Sequence, residues 1–366
     1  MTNIKKNVLI LCGGMSSEHK ISLLSALNVF KAIDESKFNP ILVGIDLDNN
    51  WRHTDSANLI LNQDNPAKIH LNSESEIVTL ESKRTNGKIN NQPEFCLLNS
   101  TSGPIIDIDI VFPVMHGNKV EDGVLQGYLE NLGIRYVGCG VLASSVCMDK
   151  DIFHRLMREL QIPTVDFVTI LRANNFDSEI QKVMQYFNGD YPVFVKPANG
   201  GSSVGISKAN NQAELEQAVK VAFRFDKKAL VEKALKAREI EVAILGNDEL
   251  IVSEPGEIVV NSDFYDYDTK YINTNLSFAQ IPAKLEPAIS KTIKAFAEQA
   301  YRSIGCKGLS RVDFFFDEAN NQIYLNEINT LPGFTSISMY PGLMKHCGFN
   351  YKELITRLIE LGLEDY

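Results

Sequence analysis

LSRVDFFF, residues 309–316, and IYLNEINT, residues 323–330, are two apolar runs separated by the turn-like DEANNQ of residues 317–322. In a strand, residues two apart share a face, so Arg311 and Asp313 point together, as do Glu327 and Asn329. Paired as a hairpin, the runs gather a cation, two carboxylates and an amide oxygen on one surface, with Phe314, Phe316, Leu325 and Ile328 interleaved. Such oxygen ligands suit Mg²⁺, which takes a few carboxylates together with substrate phosphates and water. A solvated edge hairpin with a structural ion pair is the simpler alternative. Three oxygen ligands set among apolar residues favour the metal site.

Two neighbouring stretches extend this reading toward a nucleotide. VKPANGGSSVG, residues 195–205, places Lys196 near the end of one β-run, before a loop whose Gly200, Gly201 and Gly205 let backbone amides approach phosphates closely. Taken alone, a glycine-rich hairpin loop is as readily only a flexible turn. In VEKALKAREIEV, residues 231–242, Glu232 and Glu239 are placed to accept bonds from an adenine amino group and ribose hydroxyls, or equally to serve as surface ion-pair partners. Lys150 opens a helix expected over residues 148–160, where a lysine is ordinarily a surface charge.

Toward the N-terminus, VLILCGGMSSEHKIS, residues 8–22, is a strand running into two glycines and a helix marked by Leu23, Ala26, Leu27 and Phe30. FNPILVGID resumes as a strand, giving a βαβ unit and a parallel sheet with ligand groups at the carboxyl ends of its strands. A second such end is DIDIVFPVMHGN, residues 107–118, which stops at His116 and Gly117 before a helix expected near Glu121. The first turn lacks both the Gly-Lys-Ser/Thr of a P-loop and the third glycine of a dinucleotide turn. It carries Glu18 instead, a carboxylate that fits a helix N-terminus on dipole grounds alone.

The chain has 366 residues, 44% hydrophobic and 22% charged, enough for two or three domains. Its 36 Lys+Arg against 46 Asp+Glu give a net charge of -10, which argues against binding nucleic acid or anionic membranes through overall electrostatics. Six scattered cysteines without C-x-x-C pairs read as reduced thiols of a cytoplasmic protein. The boundaries expected are an N-terminal Rossmann-like domain over 1–148, a central α+β domain over 149–233 and a C-terminal domain over 234–366. Residues 49–103 read as an insertion of short strands and loops with little chemistry.

Taken together, GGMSSEHKIS, FPVMHG, MDK, VKPANGGSSVGISK, EKALKAREIEVAILG, FYDYDTKY, SRVDFFF and LNEINTLPGFTSISMYP resemble the D-alanine–D-alanine ligase family, in family order over nearly the whole chain. The resemblance implies an α/β protein of the ATP-grasp fold. ATP would phosphorylate the carboxylate of one D-alanine and the amine of a second would attack it, a step in supplying peptidoglycan precursors for the cell wall. Carried over by motif, Lys150 and Lys196 would hold phosphates, with Ser202 and Ser203 in the covering loop. Glu232, Lys233 and Leu235 would meet the adenine, and Glu239 the ribose. Asp313, Glu327 and Asn329 would bind two Mg²⁺ (or Mn²⁺), with a monovalent cation as a further candidate. Arg311 would stabilise charge on the reacting carboxyl. Glu18 would take the first ammonium with His116 near its carboxylate, and Gly333, Ser338 and Met339 would hold the second D-alanine. Lys270 and Tyr271 would close over the site, Tyr271 bonding with Ser202 and Glu18. The resemblance also implies a homodimer acting on small molecules. D-lactate as second substrate is disfavoured by Tyr271, and D-serine, whose ligases often carry an arginine where Met339 stands, is the alternative.

Overall fold

The computed structural model describes residues 5–83, 94–99, 103–202, 204–260 and 277–364. The polar aromatic loop expected over 261–274 lies outside them. The first strand, Lys6–Gly13, pairs in parallel with Phe38–Ile45 on one side and Ile110–Pro113 on the other, and Arg135–Tyr136 extends the parallel edge. Its residues from Val8 onward are all buried, as strands covered on both faces must be. The helix His19–Ala32 supplies the crossover, so the βαβ reading holds. The inserted region does more than decorate. Trp51–His53, Glu76–Lys83, Glu94–Asn99 and Gly103–Ile108 add four antiparallel strands, completing an eight-stranded mixed sheet.

Two antiparallel sheets follow. Phe167–Leu171, Lys228–Lys233, Val193–Pro197 and Ser207–Ala209 form the first, in that spatial order. The second runs Ser277–Gln280, Gly256–Val260, Arg238–Leu245, Leu309–Asp317, Gln322–Asn329, with Ile251–Val252 paired to Arg238–Leu245. Lys233 and Ala234 carry the chain between the two sheets, their amides bonded to the carbonyls of Asp166 and Pro192.

The helix expected to begin at Met148 is broken one residue later. Val141–Met148 ends at Asp149, whose extended backbone caps a new helix, Lys150–Glu159, by accepting from the Ile152 amide at 3.2 Å. Asp149 also pairs with Lys228 at 2.7 Å, so this helix start is fastened to the first antiparallel sheet. The helix expected near Glu121 begins instead at Val124, after Gly123 at φ 92°.

At the other end of the chain, Met339–His346 and Tyr351–Leu363 return to the N-terminal sheet. Their Leu343, Leu354, Ile355 and Leu358 share one apolar core with Val8, Ile10, Leu23 and Phe112. A second core joins Phe153 and Met157 to Ile240, Val242, Phe314 and Leu325 beneath the second antiparallel sheet.

Candidate active site

The hairpin that decides the fold pairs Arg311 with Asn329 and Asp313 with Glu327 directly across its two strands, so all four share a face, as the alternation predicts. Beyond Asp313 the register shifts: Phe314 faces Leu325, and Asn326 is left over in a β-bulge. The extra residue lets Leu325 and Ile328 both turn into the core although three positions apart, which strict alternation forbids.

Arg311 grips Asp313 bidentately, Nε to Oδ1 at 2.7 Å and Nη2 to Oδ2 at 2.6 Å, and its Nε lies 3.0 Å from Glu241 Oε2. Burial works against the guanidinium charge, but Asp313, Glu241 and Glu327 outweigh it and hold the group protonated well above its ordinary range. Glu241 stands opposite Asp313 on the adjoining strand. Sequence reasoning passed over it. Its spacing of two from Glu239 was the available signal.

Lys150, in the first turn of its helix, donates to the Gly200 carbonyl at 2.6 Å and lies 3.3 Å from Glu327 Oε2. Its own amide bonds to Ala198 O, so the glycine loop is tied to this helix start by backbone as well as side chain. Ser202 in that loop has a left-handed backbone, φ 51°. Lys196 projects from Val193–Pro197 on the face of Glu232 and meets its Oε2 at 2.7 Å, both side chains under 10% exposed. The two residues expected to bind separate parts of a nucleotide are thus one buried ion pair.

At the end of the first strand, Gly13 has φ 87°, and a β-carbon there would sit 2.3 Å from the Ile45 carbonyl oxygen, so no larger residue fits this turn. The turn delivers Glu18 as the residue preceding helix His19–Ala32, buried beneath the loops of two other segments. A β-carbon on Gly117 or Gly201 would lie 3.9 or 4.0 Å from Glu18 Oε2. His116 is buried, its Nδ1 3.1 Å from the Leu331 carbonyl and 3.7 Å from Glu121 Oε1. Burial disfavours its charged form, yet the carboxylates of Glu121 and Glu18 prevail and raise its pKa above the ordinary value. Burial pushes the Glu121 carboxyl up. Glu121 also accepts from the Gly117 amide at 2.7 Å, which makes it a site residue rather than the helix opener that its sequence position suggested.

These parts enclose one cavity of about 90 Å³, lined by Glu18, His116 and Glu121 from the first sheet, by Lys150 and Gly200 to Ser202, and by Arg311, Glu327, Asn329 and Gly333. Gly333 leaves room for Ser338, whose Oγ would lie 2.9 Å from a β-carbon there and accepts from the Thr335 amide at 3.0 Å. Met339, expected at the second substrate, is instead buried in the apolar core, with its sulfur against Gly256. Lys233 is exposed, and Leu235 and Glu239 are half-buried along the crossing between the sheets. Ser203, Lys270 and Tyr271 lie outside the described residues.

Chemically the site is rich in anions. Lys150, Lys196 and Arg311 face Glu18, Glu121, Glu232, Glu241, Asp313 and Glu327, in and beneath the cavity. Such a surplus suits incoming cations. Among the described residues no three His, Cys, Asp or Glu side chains converge on one metal position. Asp313, Glu327 and the Asn329 amide therefore fit an ion that completes its shell with phosphate oxygens and water, as Mg²⁺ does.

Residues 7–139 match the family described as D-ala D-ala ligase N-terminus, and residues 156–360 match D-ala D-ala ligase C-terminus. The chain is 45% identical to D-alanine–D-alanine ligase A of Escherichia coli (strain K12), over 98% of its own length and 96% of the relative's. It is 43% identical to the D-alanine–D-alanine ligase of Proteus mirabilis (strain HI4320), over 99% and 96% of the two chains. Among solved structures, the D-alanine-D-alanine ligase from Coxiella burnetii superimposes with a TM-score of 0.81 at 33% identity, covering 98% of this chain and 94% of that one. The VanG D-Ala:D-Ser ligase from Enterococcus faecalis gives 0.82 at 35% identity, covering 98% and 100%. With both family segments matched in order and the likeness running end to end, the chain belongs to the D-alanine–D-alanine ligase family, and its fold is the ATP-grasp.

Proposed function

We propose that the protein joins two D-alanine molecules at the expense of ATP. The observation that carries this reading is a cavity whose wall brings Glu18 of the first sheet together with Lys150, Arg311, Glu327 and Asn329. Asp313, Glu327 and Asn329 would hold the divalent metal that accompanies ATP, and ATP would supply carboxylate activation. The chain's own groups do the rest by positioning and charge.

Glu18 offers its carboxylate to an ammonium group at the mouth of the first strand, with His116, whose charged form Glu121 and Glu18 favour, in the same cavity. Arg311 must release part of its grip on Asp313 to face a reacting carboxyl. The Asp313 oxygens that it releases would then be ligands for the divalent metal. Lys150, bonded to the Gly200 carbonyl, is placed to neutralise phosphate charge beneath the glycine loop. Glu232 reaches the base, Lys196 beside it the phosphates, and Ser202 covers the phosphates. Burial of these charges raises their electrostatic value over that in water.

The remaining expectations belong to this proposal: two Mg²⁺ or Mn²⁺, a homodimer, and a cytoplasmic site of action. D-serine as second substrate is the competing reading, supported by the likeness to the D-Ala:D-Ser ligase. Purified protein given ATP, Mg²⁺ and D-alanine alone should release phosphate and yield the dipeptide by mass spectrometry. Phosphate release only after D-serine or D-lactate is added would overturn the assignment.

A further inference from the structure

His154 lies one turn beyond Lys150 on the helix Lys150–Glu159 and is 1% exposed. Its ring stands edge-on to Phe167, with centroids 5.2 Å apart, and tilts against Phe153 at 5.8 Å. Nε2 is 2.9 Å from the carbonyl oxygen of Asn326, the residue that the bulge leaves outside the hairpin ladder. A carbonyl only accepts, so Nε2 carries the hydrogen. Burial lowers the ring's pKa to about 4, so near neutral pH Nδ1 presents a bare lone pair. That lone pair faces Glu232 Oε1 at 3.7 Å, and both atoms are buried without a hydrogen-bond partner among the described residues.

Two acceptors facing each other repel, so the ring acts as a stop for the carboxylate and cannot tether it. Glu232 keeps Oε2 on Lys196, while among the described residues Oε1 has no donor competing for it. The stop is itself anchored to the strand that carries Glu327, through the adjacent Asn326. The ring thereby spans from the first antiparallel sheet to the second.

We propose that His154 is a positioning residue for nucleotide binding, holding the Glu232–Lys196 pair in fixed relation to the metal-bearing hairpin and keeping one Glu232 oxygen available to a donor such as the amino group of a purine. This rests on the reading of Glu232 and Lys196 as nucleotide contacts. Steady-state kinetics with ATP and D-alanine test it. His154→Leu should raise KM for ATP tenfold or more, with kcat within threefold and KM for D-alanine within twofold. His154→Gln, which keeps a donor for Asn326, should return KM for ATP to within threefold of the parent. A purely structural role would lower kcat through lost active protein and leave KM alone. Glu232→Gln separates the two layers of the argument. On that background, His154→Leu should add less than twofold, because it acts through Glu232. A large effect of Glu232→Gln with none of His154→Leu, or full additivity of the two, overturns the role of His154. No effect of Glu232→Gln on KM for ATP overturns the nucleotide reading itself, and the proposal with it. Should His154→Leu fail to fold, His154→Asn, too short to reach Asn326, carries the same expectation.

Discussion

Replacing Lys196 by methionine is expected to cost far more stability than the loss of a surface charge. Lys196 Nζ and Glu232 Oε2 lie 2.7 Å apart with side chains 8% and 6% exposed. At an effective dielectric of about 20 their gross attraction is about 6 kcal/mol, much of which offsets the desolvation of both groups. The intact pair is therefore close to neutral in net stability. Lys196→Met removes the attraction but leaves the Glu232 carboxylate buried, and breaking one side of such a pair costs about 3–5 kcal/mol. His154 adds no compensation, since a lone pair is what it turns toward Glu232. For a 366-residue chain melting as one unit, the loss corresponds to a fall of about 4–6 °C in Tm. Scanning calorimetry and urea titration of Lys196→Met, Glu232→Gln and the double variant read the cycle. The double variant, with no stranded charge, should recover at least half of the single-variant loss. A Lys196→Met variant within about 1 kcal/mol of the parent, or a double variant no better than it, would refute the claim that the pair is shielded from water.

Three further outcomes follow from the same site. Arg311→Ala should abolish dipeptide synthesis while equilibrium dialysis shows ATP affinity changed by no more than a few fold; undiminished turnover would remove Arg311 from the chemistry. Glu18→Gln should raise KM for D-alanine much more than KM for ATP, and equal effects on both would return the first turn to a phosphate-binding role. For acid stability, burial lowers the His154 pKa from 6.5 to about 4, so between those values the unfolded chain binds a proton that the folded protein refuses. The contribution is thus fully present above about pH 6.5 and lost as pH falls toward 4. His154→Gln should lose about 3 kcal/mol less stability than the parent over that window by urea titration, and parallel pH profiles would contradict it.

The face of the hairpin was readable from the sequence because strand alternation is rigid. Arg311, Asp313, Glu327 and Asn329 were placed by counting in twos, and register confirmed them. What counting could not supply was the bulge at Asn326, since one extra residue is a property of the pair of strands and not of either run. The spacing of three between Leu325 and Ile328 was its trace. Lys196 and Glu232 were each picked out singly, but their pairing depended on which strands are neighbours across the helix between them. Glu121 and Glu241 escaped for a similar reason. A carboxylate in an acid-rich stretch looks like solvated surface until the fold buries it. Met339 was placed by its motif, and its burial in the core was not legible from that motif. Residues 49–103 were legible as short strands and loops, but not as strands that extend the edge of the parallel sheet, because polar, weakly periodic sequence does not say which edge it joins.

The shared core of the N-terminal sheet and the closing helices bears on how the molecule is made. Val8, Ile10 and Phe112 are covered by Leu354, Ile355 and Leu358, which the ribosome delivers more than two hundred residues after the sheet's last strand. Until they arrive, that face of the sheet has only part of its native cover, from Leu23, Ala26 and Val29 of helix His19–Ala32. This core is thus a bracket, opened early in synthesis and closed late, with the two antiparallel sheets built between its halves.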